Sequence, residues 1–158
     1  MKEIPLTRGY VALVDDEDYD RINALKWYAC VRKDGMVYAR RKLRSEPIIS
    51  MQHMVFGERI RIDHADGNGL NNQRGNLRPA TNSQNAANHR KIAGTTSKYR
   101  GVTLYPANGK WVAQLHLHKK HIHLGYFKEE VDAATVYNLA AYEAWGEFAR
   151  LNTPEMGL

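Results

Sequence analysis

The sequence predicts an α+β protein, and three observations carry that expectation. Short runs of alternating apolar and polar residues are separated by Asp-Gly and Asn-Gly dipeptides, the pattern of hairpin strands. Helix starts are marked by acidic or capping residues near 15–18, 81–84 and 129–130. The composition is 43% hydrophobic with three Trp and nine Tyr, enough apolar material to fold and not that of a disordered chain. Three segments are expected: a small N-terminal α+β unit over 1–46, a central strand–strand–helix core over 47–93, and a three-stranded antiparallel sheet packed on one helix over 94–158.

In the first segment, residues 10–14 read as a strand. Asp15-Asp16-Glu17-Asp18 then open a helix, whose dipole favours carboxylates in its first turn. Residues 27–32 and 36–42 flank Lys33-Asp34-Gly35 and form a hairpin. Residues 48–56, ending at Gly57, fit a short buried helix, although periodicity alone does not separate helix from strand there.

In the centre, residues 60–64 read as a strand, the Gly/Asn-rich run that follows as a tight loop, and 76–80 as a second strand. A helix spans 83 to about 90. Thr81 with Gln84 three residues on is a capping box, and Asn85 and His89, four apart, share a helical face. A polar stretch over 92–97 makes a linker or hinge. Beyond it, 99–105, 110–116 and 122–127 read as strands joined at Asn108-Gly109 and Lys119-Lys120. Glu129-Glu130 start a helix that ends near Trp145 at Gly146. Ala133, Tyr137, Ala140, Ala141 and Ala144 give it a small-residue stripe that lets it sit close on a sheet.

Cys30 is the lone cysteine, which excludes a disulfide scaffold. No apolar run approaches the ~18 residues of a membrane span, and the first residues lack a signal-peptide core, so a cytoplasmic protein with no membrane partner is expected. The 23 Lys and Arg against 17 Asp and Glu leave a net charge of +6, which suits a polyanion partner without requiring one. The charge is unevenly placed. Residues 94–127 carry five bases and no acid, whereas 128–150 carry two bases and five acids, so the last segment has a basic part followed by an acidic helix.

The stretch from Arg61 to Thr81 carries the most chemistry. Asp63-His64 end the first central strand, Asn76 follows twelve residues after His64, and Asn85 nine residues after that. This order and spacing resemble the HNH (His-Asn-His) endonuclease family, in the ββα-metal form of phage and intron-borne homing enzymes. The resemblance implies a ββα-metal core and a metal-dependent endonuclease that hydrolyses phosphodiester bonds in duplex DNA. It makes His64 the general base and Asn76 the residue that braces the loop and orients the His64 imidazole. Asp63 and Asn85 become oxygen ligands of a divalent cation, Mg²⁺ or Mn²⁺, with His89 as an auxiliary ligand. Arg74 and Arg78 are candidate phosphate clamps by proximity alone. Met51-Gln52-His53 departs from the family's Met-His-Arg, so His53 is read as a packing residue.

The segment over about 97–152 resembles the AP-two/ethylene-response-factor DNA-binding domain of plants. Tyr99-Arg100-Gly101-Val102, Gly109 to Leu115, Leu124-Gly125-Tyr126-Phe127, the alanine-rich helix and Asn152 carry the likeness. That family lays a three-stranded sheet in the DNA major groove. Arg100 and Trp111 match its contact positions, while Thr103, His116 and His123 replace its Arg, Arg and Trp. Lys98, Arg100, Lys110, Trp111, His116, Lys119 and Lys120 are therefore the expected DNA-binding residues. Trp111 fits core packing equally well, because a strand residue points to one face and the sequence does not fix which. His116, His118, His121 and His123 have no Cys or carboxylate nearby to complete a zinc site, and are read as facing DNA.

One such active site cuts one strand, so a monomer nicks and a homodimer is needed to cut both. A phage-borne enzyme would work in the bacterial host's cytoplasm. The competing readings are a non-enzymatic DNA-binding regulator with an inactive HNH fold, and a nuclease directed at RNA or at a nucleic-acid structure.

Overall fold

The computed structural model describes residues 1–44, 47–89, 94–117 and 119–153. Ser45, Glu46, the expected helix end at Arg90, the linker residues Ile92 and Ala93, His118 and residues 154–158 lie outside them. Among the described residues the protein is mixed α and β, with four helices and four small antiparallel sheets. It divides into two compact units, Met1–Thr81 and Asn82–Leu158.

In the first unit, β1 (Lys2–Pro5) pairs antiparallel with β2 (Val11–Val14). Helix α1 (Asp16–Asn23) carries Asp16, Glu17 and Asp18 in its first turn, as its dipole favours. β3 (Tyr28–Val31) and β4 (Val37–Arg41) form the expected hairpin, closed by a bond from the Gly35 amide to the Arg32 carbonyl at 3.0 Å. The segment read as a short helix splits into β5 (Ile49–Ser50), which pairs with β4, and α2 (Met51–Phe56). β6 (Ile62–His64) and β7 (Leu77–Pro79) form a two-stranded sheet, both shorter than the runs expected from sequence.

Ile4, Val14, Ile22, Trp27, Met51, Val55, Ile62 and Leu77 make one core in this unit. Each fully buried aliphatic side chain there contributes about 1.5–3 kcal/mol. β5 extends the β4 sheet, and α2 adds Met51 and Val55 to this core.

In the second unit, α3 (Asn82–Ala87) starts directly after Thr81, where the capping box marks it, but ends before His89. The two side chains four apart therefore do not share a helix: Asn85 is on α3, and His89 lies in the turn beyond it. β8 (Val102–Tyr105), β9 (Lys110–Leu117) and β10 (Lys120–Phe127) form an antiparallel sheet with β9 in the middle. Helix α4 (Glu130–Trp145) packs on it through Ala133, Ala134, Tyr137 and Ala141. Gly101 passes so close to this helix that a Cβ would sit 1.9 Å from the Tyr137 ring, and its φ of +71° also excludes most side chains.

Candidate functional site

Two places hold the residues singled out above, one in each unit. In the first, β6 presents Asp63 and His64 at neighbouring positions, so their side chains leave opposite faces of the strand. Both are buried. Asp63 lies opposite Arg78 in the β6–β7 register, and the guanidinium donates to Asp63 Oδ2 at 3.0 Å from Nε and 2.9 Å from Nη2. Arg78 is therefore held by the very carboxylate proposed as a ligand.

The loop between β6 and β7 is built by its own amides. Asp66 accepts from the Asn68 backbone and from the side chains of Asn71 and Asn76, at 2.7, 2.8 and 3.0 Å. Burial pushes the Asp66 carboxyl up, but these hydrogen bonds outweigh it and hold the group below the usual carboxylate range. Asn76 braces the loop from the other end. It donates to Asp66 and to the Asn71 carbonyl and accepts from the Asp66 amide.

Asn72 meets the imidazole, its Oδ1 standing 3.4 Å from His64 Nε2. Asn72 is fully buried, with its Nδ2 on the Leu70 carbonyl at 3.1 Å. The Tyr38 ring stands edge-on to the imidazole, centroids 5.9 Å apart. Burial pushes the His64 ring below its ordinary value, against the opposing effects of Asn72, Asp66 and Asp63. A buried imidazole that is neutral near pH 7 is in the right form to accept a proton.

Nothing local in the sequence marks Asn72 within a run of Asn and Gly. The signal lies in a distant pairing, since residues 70–72 run along β2. The Leu13 amide donates to the Leu70 carbonyl and the Asn72 amide to the Leu13 carbonyl, each at 2.8 Å. Just before this segment Gly69 passes close to β4, where a Cβ would meet the Val37 carbonyl at 2.5 Å and the Tyr38 ring at 2.6 Å.

The guanidinium of Arg74, a candidate phosphate clamp by proximity, binds the α1 carboxylates, Asp18 at 2.8 and 2.9 Å and Glu17 at 2.8 Å. The Arg74 amide and the Gln73 side chain bind Asp15, which ties the loop to the start of α1.

The donor chemistry of Asp63 and Asn85, carboxylate and amide oxygen, fits a hard divalent cation. Among the described residues no group of three or more His, Cys, Asp and Glu side chains is gathered for a metal.

In the second unit, the strand alternation settles the facing of β9. Trp111, Ala113, Leu115 and Leu117 pack toward α4, with Trp111 partly buried on that face. Lys110, Val112, Gln114 and His116 take the other face. Register places Thr103 and Tyr105 beside Val112 and Lys110 on β8, and His123 and His121 beside Gln114 and His116 on β10. The rings of His116 and His121 touch, with centroids 3.5 Å apart, and Tyr126 packs on both His123 and Tyr105. Lys119 and Lys120 are exposed at the β9–β10 turn, and the ammonium of Lys98 lies over the Tyr99 ring at 5.0 Å.

Arg100 is not on that face. Its Nε donates to the buried Tyr137 hydroxyl at 2.7 Å, Nη2 to the Ala86 carbonyl at 3.0 Å, and Nη1 to the His89 carbonyl. It therefore ties the C-terminal end of α3 to α4. Among the described residues no helix is long and apolar enough to cross a membrane.

No protein-family model matches the chain. Among curated proteins it is 46% identical over 59 residues to the APETALA2-like protein 2 of Oryza sativa subsp. indica, covering 36% of this chain and 13% of that one. It is 40% identical over 57 residues to the AP2/ERF and B3 domain-containing transcription repressor TEM1 of Arabidopsis thaliana, covering 36% of this chain and 16% of that one. Over most of its length it is similar to an uncharacterized HNH endonuclease of Acanthamoeba polyphaga mimivirus, 30% identical over 148 residues, or 92% of this chain and 76% of the viral protein. At that identity and coverage, with Asp63, His64 and Asn76 gathered on one strand pair and its loop, the chain belongs to the HNH endonuclease family.

Proposed function

We propose that the protein is a metal-dependent DNA endonuclease of the homing type. Residues 47–93 supply the catalytic groups, and residues 94–158 bind duplex DNA. The observation that carries this reading is the buried His64 imidazole beside Asp63, held by Asn72 over a loop braced by Asn76.

In the proposed reaction His64 takes a proton from water, and the oxygen attacks phosphorus in line as the bond to the leaving 3′-oxygen breaks with its electron pair. Asp63 and Asn85, with His89 as an auxiliary position, would hold Mg²⁺ or Mn²⁺, which supplies positive charge for the phosphorane and the leaving oxygen. Asp63 would share its carboxylate with Arg78 in that arrangement. The open face of β8–β10 supports DNA binding through its position in a basic, acid-free stretch. Lys98, Lys110, Lys119, Lys120 and His116 are its expected contacts.

A monomer with one site would nick. Conversion of supercoiled plasmid to open circles in Mg²⁺ or Mn²⁺, abolished by chelation and by His64→Ala, is the expected result. Metal-independent nicking, or equal nicking by His64→Ala, would overturn the proposal. DNA binding with no cleavage of any duplex or RNA substrate would instead favour the regulator.

A further inference from the structure

The open face of β8–β10 carries a row of aromatic rings that crosses β9. Tyr105 on β8 and Tyr126 on β10 stand with centroids 5.7 Å apart, and those of Tyr126 and His123 are 4.7 Å apart. Strand alternation brings them together: Tyr126 is opposite Val112, His123 opposite Gln114 and Tyr105 opposite Lys110, all on that face. The ring planes meet at 60° and 55°, so no ring of the row lies flat on its neighbour. Tyr105 is 45% exposed and Tyr126 50%, and His123 is exposed as well. Rings that offer so much area to solvent in one contiguous patch mark a surface built to meet something.

The chemistry of the face narrows what that is. A duplex shows a protein the edges of its bases, because each base face is covered by the next pair in the stack. A ring can meet a base face only where the base is unstacked. The centroid steps of 5.7 and 4.7 Å exceed the ~3.4 Å rise of a stacked strand, so a strand laid along this row is drawn out. β8, β9 and β10 contain no arginine, and the bidentate fork that grips guanine in a major groove is therefore missing from them. Cations stand at both ends of the face, Lys110 as the cross-strand partner of Tyr105 and Lys119 and Lys120 at the turn beyond His116 and His121. With no acid between residues 94 and 127, the rings lie in a surface complementary to a phosphate backbone.

We propose that Tyr105, Tyr126 and His123 form a stacking site for unpaired bases, and that the second unit binds single-stranded DNA more tightly than the same sequence in a duplex. That the strand is DNA rests on the nuclease reading. The stacking site itself rests on the rings and the charge around them. Such a site suits a protein that nicks, since a strand fraying at the break offers unstacked bases.

The test is binding by the full chain, without divalent metal so that nothing is cut, read as fluorescence anisotropy at fixed salt. The ligands are a labelled single strand, the same sequence as a hairpin duplex, and an abasic strand that keeps the phosphates and lacks the bases. The single strand should bind at least about tenfold more tightly than either of the others. Tyr126→Leu should weaken single-strand binding by about 5- to 100-fold and leave the abasic strand unaffected, whereas Tyr126→Phe keeps the ring and the affinity. Tyr105→Leu gives the same reading independently if Tyr126→Leu does not fold. Equal affinity for the base-bearing and abasic strands overturns the proposal, as does a folded Tyr126→Leu protein that holds the single strand as before. Tighter binding of the duplex also overturns it and leaves the nuclease reading standing. Tighter binding of the matching RNA overturns the assignment to DNA. Single-strand binding that depends on Tyr126, in a protein that never nicks plasmid, would uphold the stacking site and defeat the nuclease reading.

Discussion

Arg100 separates a structural role from a DNA-binding one, and the two make opposite predictions. The family resemblance sets it at a DNA contact, whereas its guanidinium joins Tyr137 to the Ala86 carbonyl of α3 and the His89 carbonyl beyond it. Arg100→Met keeps an apolar stem of similar reach and removes every one of those donors. The Ala86 and His89 carbonyls can turn to water, but the Tyr137 hydroxyl is buried and loses its charged partner. A hydrogen bond to a charged group is worth about 1.5–3 kcal/mol, and a stranded buried polar group costs a similar amount, so a net loss of about 2–4 kcal/mol is expected. For a unit of this size that corresponds to a fall in Tm of roughly 10–25 °C. Burial already holds the Tyr137 hydroxyl above its ordinary value against the pull of Arg100, so the substitution should raise it further. The assay is calorimetric melting of the full chain, followed by DNA binding at several salt concentrations below the melt. An unshifted melt with weaker DNA binding and a smaller salt slope would refute the structural role.

Other substitutions probe other joints of the structure. Gly69→Ala forces a Cβ to within 2.5 Å of the Val37 carbonyl and should cost about 1–3 kcal/mol in urea unfolding while slowing nicking, because residues 70–72 follow directly. An unchanged midpoint would contradict that packing. Asp18 is pushed up by burial but more strongly held down by Arg74 and Arg21, so it sits below 3.8. Its contribution to stability is accordingly complete above about pH 4 and lost as pH falls through the lowered value. Asp18→Asn should reduce stability near neutrality and flatten the acid limb, measured by urea unfolding across that range. Lys110→Ala and Lys120→Ala should each lessen the slope of log K against log salt by about 0.9 if each meets one phosphate; an unchanged slope would remove that lysine from the interface.

What the sequence made legible was local. Asp34-Gly35 marked its hairpin, Glu129-Glu130 and Gly146 bounded α4, and the spacing of Asp63, His64 and Asn76 anticipated a strand, its partner and the loop that Asn76 braces. What it hid was distant. β1 is four residues ending in a proline and shows no periodicity of its own; it forms because β2 offers it an edge. Arg74 finds Asp18 across 56 positions, and Asn72 is selected from its Asn neighbours by Leu13, far back in the chain. Trp111 and Lys110 are adjacent on β9, and only the packing of α4 on one face decides which of them meets solvent. Asn85 and His89 have helical spacing, but α3 ends at Ala87, and the Arg100 guanidinium takes the Ala86 carbonyl within it and the His89 carbonyl beyond it.

The central claim is that His64 is the base, and chemical rescue tests it most directly. His64→Gly should stop metal-dependent nicking of supercoiled plasmid, and free imidazole added to that variant should restore part of the rate, because the buried site vacated by the ring is shaped for it. Nicking by His64→Gly at the unmodified rate would contradict the account, as would a folded, DNA-binding variant that imidazole never revives.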